Sequence, residues 1–148
     1  MFAPFRPVAR LFNRYLHKDK DFVEDVQRIT GSTPDNTYLY QLAVTPVSAS
    51  GKNLSGKQES NERLEFLGDA ILGSVIAEYL FRKYPFKDEG FLTEMRSRIV
   101  NRESLNNVAI KLGLNLIIKT QLLPQTRNKF TNGNALEALV GAVYLDKG

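Results

Sequence analysis

An all-α fold is predicted for this 148-residue chain on three observations. Apolar residues recur at three- and four-residue spacing in successive stretches. Gly31, Pro46, Pro85 and Gly113 fall between those stretches and act as stops. The one β-branched run, Leu114 to Ile118, has no second strand to pair with, so it too is read as helix.

Met1 to Pro7 reads as irregular, with Pro4 and Pro7 as breakers. Val8, Leu11, Phe12, Tyr15 and Leu16 then recur at helical spacing, with Arg10 and Arg14 on another face. An Arg-rich, acid-poor start has the character of an organelle transit peptide. Its low serine content favours a basic helical extension over residues 1–20 instead. Asp21 to Ile29 reads as a helix stopped by Gly31. Asp35 or Asn36 caps a short helix from about Thr37 to Val44, which Pro46 ends. Ser48 to Ser60 is polar and rich in Gly, Ser and Lys, the composition of a mobile loop.

Ser60 or Asn61 caps a long helix to about Lys83. Asp88, Glu89 and Gly90 open the next, with Phe91, Leu92, Met95, Ile99 and Val100 at helical spacing. Asn101 to Leu112 either continues it or forms a separate helix ended by Gly113. Leu123 to Thr126 is a turn. Asn132 or Asn134 begins the last helix, which runs through Leu145.

The composition narrows the chemistry. No apolar run approaches the ~20 residues of a membrane span. Without cysteine there is no disulfide, thiolate metal site or cysteine nucleophile. The only histidine, His17, lies in the basic N-terminal segment. Acid–base or metal chemistry therefore falls to carboxylates. The net charge of +4 is mild evidence for a polyanionic partner. Cations are also segregated: Arg6, Arg10, Arg14, Lys18 and Lys20 face only Asp19 in the first twenty residues. No acid lies between Glu103 and Glu137, a stretch that holds Lys111, Lys119, Arg127 and Lys129.

The unusual stretch is Asn61 to Leu72, Asn-Glu-Arg-Leu-Glu-Phe-Leu-Gly-Asp-Ala-Ile-Leu. It sets Gly68 and Asp69 inside an apolar helix. Gly there costs roughly 1 kcal/mol relative to Ala, and an unpartnered carboxylate more if buried. Glu65 and Asp69, four residues apart, share a face. Leu64, Leu67, Ile71 and Val75 form another stripe, expected to face the core. Glu62 lies on the acidic edge, where a helix N-terminus also favours it through the dipole. In the last helix Asn134 and Glu137 are three apart, and Leu136, Leu139, Val140 and Val143 supply the apolar side. If the two helices pack together, Glu65, Asp69, Asn134 and Glu137 converge. Oxygen-only ligands select hard cations, Mg²⁺ or Mn²⁺, and such a site on a basic protein suits phosphodiester hydrolysis.

Asn61 to Leu72 resembles the signature of the ribonuclease III family nearly residue for residue. Asp88-Glu89-Gly90 with Met95-Arg96, Asn101 to Leu105, and Leu136 to Ala142 with Leu145-Asp146 are similar to further family segments in the same order. The resemblance covers about residues 21–148 and implies an all-α, dimeric catalytic domain that cleaves double-stranded RNA. It implies Glu65, Asp69, Asn134 and Glu137 as the metal positions and Asp69 and Glu137 as the catalytic pair. Phe66 matches a position that packs across the dimer, and Glu62 and Glu89 match acidic positions behind the ligands or at the interface. The implied products carry 5′-phosphate and 3′-hydroxyl ends. The implied substrates are ribosomal and other RNA precursors, and the implied compartment is the bacterial-type cytoplasm. No membrane and no small-molecule cofactor are expected.

Three departures from the family pattern stand out. Asn134 occupies a position where the family usually has Asp, so weaker metal affinity is expected. Pro46 replaces a common His. The chain ends at Gly148, where the family usually continues into a double-stranded-RNA-binding domain. The rival expectation is a catalytically weakened member that acts as an RNA- or ribonucleoprotein-binding module.

Overall fold

A computed structural model describes residues 19–119 and 131–148, which form two compact units. In the first, helix α1 covers residues 19–30 and Gly31 ends it. The predicted helix at Val8 to Leu16 and the turn at Leu123 to Thr126 lie outside the described residues. So does most of the basic extension assigned to residues 1–20; its last two residues, Asp19 and Lys20, already belong to α1.

The second unit, Asn36–Gly148, holds the remaining helices: α2 (Thr37–Ala43), α3 (Glu62–Lys83), α4 (Glu89–Ile99), α5 (Arg102–Lys111) and α6 (Thr131–Lys147). Short 3-10 turns occupy Val47–Ala49 and Leu114–Leu116. No strand forms among the described residues; an isolated bridge joins Lys52 and Gln58. Leu114 to Ile118 is thus helical only as one tight turn. Gly113, with φ +77°, reverses the chain just before it and ends α5.

α5 is a separate helix because Asn101 caps it: its Oδ1 accepts from the Ser104 N–H at 2.8 Å. Asp88 caps α4 likewise, accepting from the Phe91 N–H at 2.9 Å. Asn61 precedes α3 without a side-chain cap. It acts through its backbone, with its N–H donating to the Thr45 carbonyl at 2.9 Å. The stretch before α3 is more ordered than its composition suggests. Asn53 Oδ1 accepts from the N–H groups of Ser55 and Lys57, and Gln58 donates to Ser50 Oγ.

α6 is the centre of this unit, packed by α2, α3 and α5. It is therefore buried on several sides. Gly133, Ala135, Leu136, Ala138, Leu139, Gly141 and Ala142 are all buried, and the small residues among them let neighbouring backbones approach closely. Its far end is fixed to α2 by Asp146, which accepts from the Tyr40 hydroxyl at 2.9 Å and the Asn36 N–H at 2.8 Å.

The predicted core stripe of α3 holds only near its start. Leu64 is buried and Leu67 and Ile71 are half-buried, but Val75 is 57% exposed. α3 is about 33 Å long, and α6 crosses it near residues 64–68, leaving its distal half less covered.

Candidate active site

A close approach runs between the two helices that carry the acidic residues. A Cβ built on Gly68 would fall inside the Glu137 carbonyl oxygen and lie 2.9 Å from the Gly141 N. A Cβ on Gly141 would lie 2.5 Å from the Leu64 carbonyl oxygen. Gly68 and Gly141 therefore face each other's helix, and no side chain fits between. Gly68 is not an unexplained defect in a helix; its missing side chain brings α3 onto α6.

That contact places the next residue along, Asp69, beside Glu137. The two acids and Glu65, Asn134 and Glu62 line one cavity of about 890 Å³, and Phe66 lines it as well. The structure thus gathers every predicted site residue there except Glu89. Glu89 stands at the start of α4 outside the cavity, accepting from the Thr93 hydroxyl at 2.8 Å. Asp69 is exposed, not embedded in apolar surroundings as its sequence neighbours suggested. Its helix turns the carboxylate into the open cavity while Gly68 takes the packed face.

The electrostatics are those of crowded anions. Glu137 is half-buried, and its carboxyl pKa is pushed up to about 7, first by burial and then by the charges of Asp69 and Glu65. Glu65 is also raised, again first by burial, with Glu62 and Asp69 adding repulsion. Two groups oppose this. The Asn134 side chain hydrogen-bonds the Glu65 carboxylate, and the Arg102 guanidinium pulls both Glu65 and Glu137 back down. An amide at 134 therefore restrains Glu65 where a carboxylate would repel it.

Three carboxylates and an amide oxygen, with no nitrogen or sulfur donor among them, match the donor set of Mg²⁺ or Mn²⁺. A divalent cation would also relieve the repulsion that raises Glu137. Among the described residues no three acidic side chains already enclose a point; the oxygens line the cavity walls and would have to close on an ion.

Residues not named as site residues from the sequence complete the walls: Arg102 and Asn106 from α5, Lys119 after the second 3-10 turn, and Ser48. Asn106 Oδ1 accepts from the Gly133 N–H at 2.7 Å, tying α5 to the first turn of α6 just before Asn134. No spacing rule points to them, because they come from elements whose packing on α6 is a tertiary fact.

Residues 36–148 match the family model described as Ribonuclease-III-like. The chain is 43% identical over 148 residues to Ribonuclease 3 of Phocaeicola vulgatus, covering all of this chain and 47% of that protein. It is 41% identical over 145 residues to Ribonuclease 3 of Azobacteroides pseudotrichonymphae, covering 97% of this chain and 55% of that one. The chain thus spans about half the length of these curated relatives. Among solved structures, a nuclease domain of ribonuclease III from Campylobacter jejuni superposes with a TM-score of 0.74 at 32% identity, covering 85% of this chain and 87% of that one. That domain is noted for flexibility in a region involved in its dimer formation.

Proposed function

The chain belongs to the ribonuclease-III-like family, and we propose that it is a divalent-cation-dependent endoribonuclease that cuts both strands of duplex RNA as a homodimer. The observation that carries this reading is the convergence of Glu65, Asp69, Asn134 and Glu137 on one cavity from two helices held in contact by Gly68 and Gly141. Bacterial relatives named Ribonuclease 3 support a ribonuclease activity; processing of RNA precursors in the bacterial-type cytoplasm is part of the proposal. Among the described residues no helix is long and apolar enough to cross a membrane.

Glu65, Asp69, Asn134 and Glu137 would hold the ion, Mg²⁺ first and Mn²⁺ as an alternative. When bound, it supplies Lewis acidity at the phosphodiester and makes water acidic enough to furnish the nucleophile. The chain's own part is placement. α3 and α6 fix Asp69 and Glu137 on neighbouring turns of two rigid helices, so the reacting phosphate meets a preset array of oxygens. Asn134 steadies Glu65 through their hydrogen bond. Attack of water on phosphorus breaks the bond to the 3′ oxygen, leaving a 5′-phosphate and a 3′-hydroxyl.

The test is cleavage of an end-labelled RNA duplex with and without Mg²⁺. Wild-type protein is expected to cut only with the ion, and Asp69→Asn not to cut. Asn134→Asp is expected to lower the Mg²⁺ concentration needed for half-maximal rate, because it adds a fourth negative charge. Duplex binding with no Mg²⁺-dependent cleavage would replace the enzyme by a binding module.

The homodimer rests on a separate feature. Phe66 follows Glu65 directly and is 82% exposed in the single chain. Burying such a ring contributes about 2–3 kcal/mol, and a second copy is the occupant that the Campylobacter jejuni domain suggests. Phe66→Glu is expected to sediment as a monomer under conditions where the wild type is a dimer. A dimer that survives this change would place the interface elsewhere.

A further inference from the structure

We propose that Arg102 is a substrate-binding residue, its guanidinium directed to a non-bridging oxygen of the RNA phosphate that enters the carboxylate-lined cavity. The proposal rests on the duplex-RNA nuclease reading above and adds to it a group on a third helix. Arg102 is the first residue of α5 and lines the same cavity as Glu65, Asp69 and Glu137. Its position is fixed by the preceding residue. Asn101 caps α5 through Oδ1, and its Nδ2 donates to the Arg98 carbonyl at 2.7 Å, locking the α4–α5 corner. The side chain therefore starts from a rigid point on the cavity wall.

A cation beside three carboxylates has a simple alternative explanation, as their counter-ion. That role conflicts with the chemistry of the site. Arg102 shares the cavity wall with Glu65, Asp69 and Glu137, positions a divalent cation would need, and a fixed positive charge there opposes the ion's entry. The conflict disappears if the partner of Arg102 is an anion that arrives with the ion. A phosphodiester is such an anion, and the guanidinium fork suits paired phosphoryl oxygens. Lys119 also lines the cavity; Arg102 differs from it in starting from the side-chain-capped first turn of a helix.

The two explanations differ in the salt dependence of RNA binding. Removing a charge that serves only the carboxylates leaves the number of phosphate contacts, and so the slope of log duplex affinity against log salt, unchanged. Removing a phosphate contact makes that slope shallower by about one.

Duplex affinity is read by fluorescence anisotropy in an Asp69→Asn background, so that the RNA stays intact, across a salt series. Mg²⁺ affinity is read by calorimetry on the RNA-free protein with Asp69 present. With Arg102→Ala, duplex affinity is expected to fall on the order of tenfold, and the slope of log affinity against log salt to become shallower by about one. Mg²⁺ affinity is expected to stay the same or tighten. Arg102→Lys should keep the salt slope and recover part of the affinity. Lys111→Ala, at the other end of α5 and outside the cavity, should leave affinity within about twofold of its parent. Unchanged duplex affinity and salt slope in Arg102→Ala, in a protein that cuts duplex RNA, would overturn the proposal alone. Loss of both RNA and Mg²⁺ affinity with a lowered melting temperature would overturn it in favour of a packing role. If the unmutated protein neither binds nor cuts duplex RNA, the nuclease reading falls as well.

Discussion

Replacing Glu137 by Gln lowers the cleavage rate by a factor on the order of 10³ and, in the metal-free protein, raises the melting temperature. Both effects come from one cause. The carboxylate is held half-buried beside Asp69 and Glu65, with its pKa pushed up to about 7 from 4.5. Between those values the folded protein binds the proton more readily than the unfolded chain does. Stability from this group therefore falls as pH rises through that window, and the full penalty is present above about 7. Water reaches the group, so the penalty is discounted to about 1 kcal/mol, which corresponds to about 2–4 °C in a domain of this size. A neutral Gln carries no such penalty at any pH. Calorimetric scans of wild type and Glu137→Gln across this pH range should diverge as pH increases, with the variant more stable at about pH 8. Adding Mg²⁺ should reverse the order, because ion binding stabilises the wild type more than a variant lacking one ligand. If Glu137→Gln is less stable at every pH, or still cuts at the wild-type rate, Glu137 is a packing residue and not part of a cation site.

The same residues show how much of the molecule could be read from its sequence. The site pairs were legible because they obey a one-dimensional rule: Glu65 with Asp69, and Asn134 with Glu137, each sit about one turn apart on a helix. Their convergence was legible only as a condition, since nothing local says that α3 meets α6. Gly68 shows the limit. In sequence it is a helix defect of roughly 1 kcal/mol; in the structure it is the condition for the helices to touch. Val75 shows the converse. It continues the apolar stripe of Leu64, Leu67 and Ile71, yet it is 57% exposed because α6 crosses near the start of α3. Arg102, although inside the family-like segment Asn101 to Leu105, and Asn106 carried no spacing signal of their own, because each matters through a neighbour distant in sequence. Asn106 meets Gly133 across 27 residues.

Gly68→Ala should therefore be the most damaging single methyl group that can be added to this protein. Helix propensity alone would favour alanine by about 1 kcal/mol. Against that, the new Cβ would coincide with the Glu137 carbonyl oxygen and lie 2.6 Å from its carbonyl carbon and 2.9 Å from the Gly141 N. All three are backbone atoms of a buried helix, so no rotamer change relieves the contact, and α3 and α6 must separate. Overpacking of this kind costs about 3 kcal/mol or more, equivalent to a fall in melting temperature of about 10 °C. Gly73→Ala, one and a half turns further along α3, meets nothing within 4 Å, so its melting temperature should equal or exceed that of the wild type. The pair isolates the interhelical contact from helix propensity, since both changes are the same and lie in the same helix. Whatever Gly68→Ala protein does fold should still contain Asp69 and Glu137, yet cut duplex RNA on the order of 10²-fold more slowly. A shift of about 1 Å between groups that act on one phosphate is enough for that loss. Equal stability of the two variants would mean that α3 and α6 are not held together at Gly68. The placement of Asp69 beside Glu137 would then need another source.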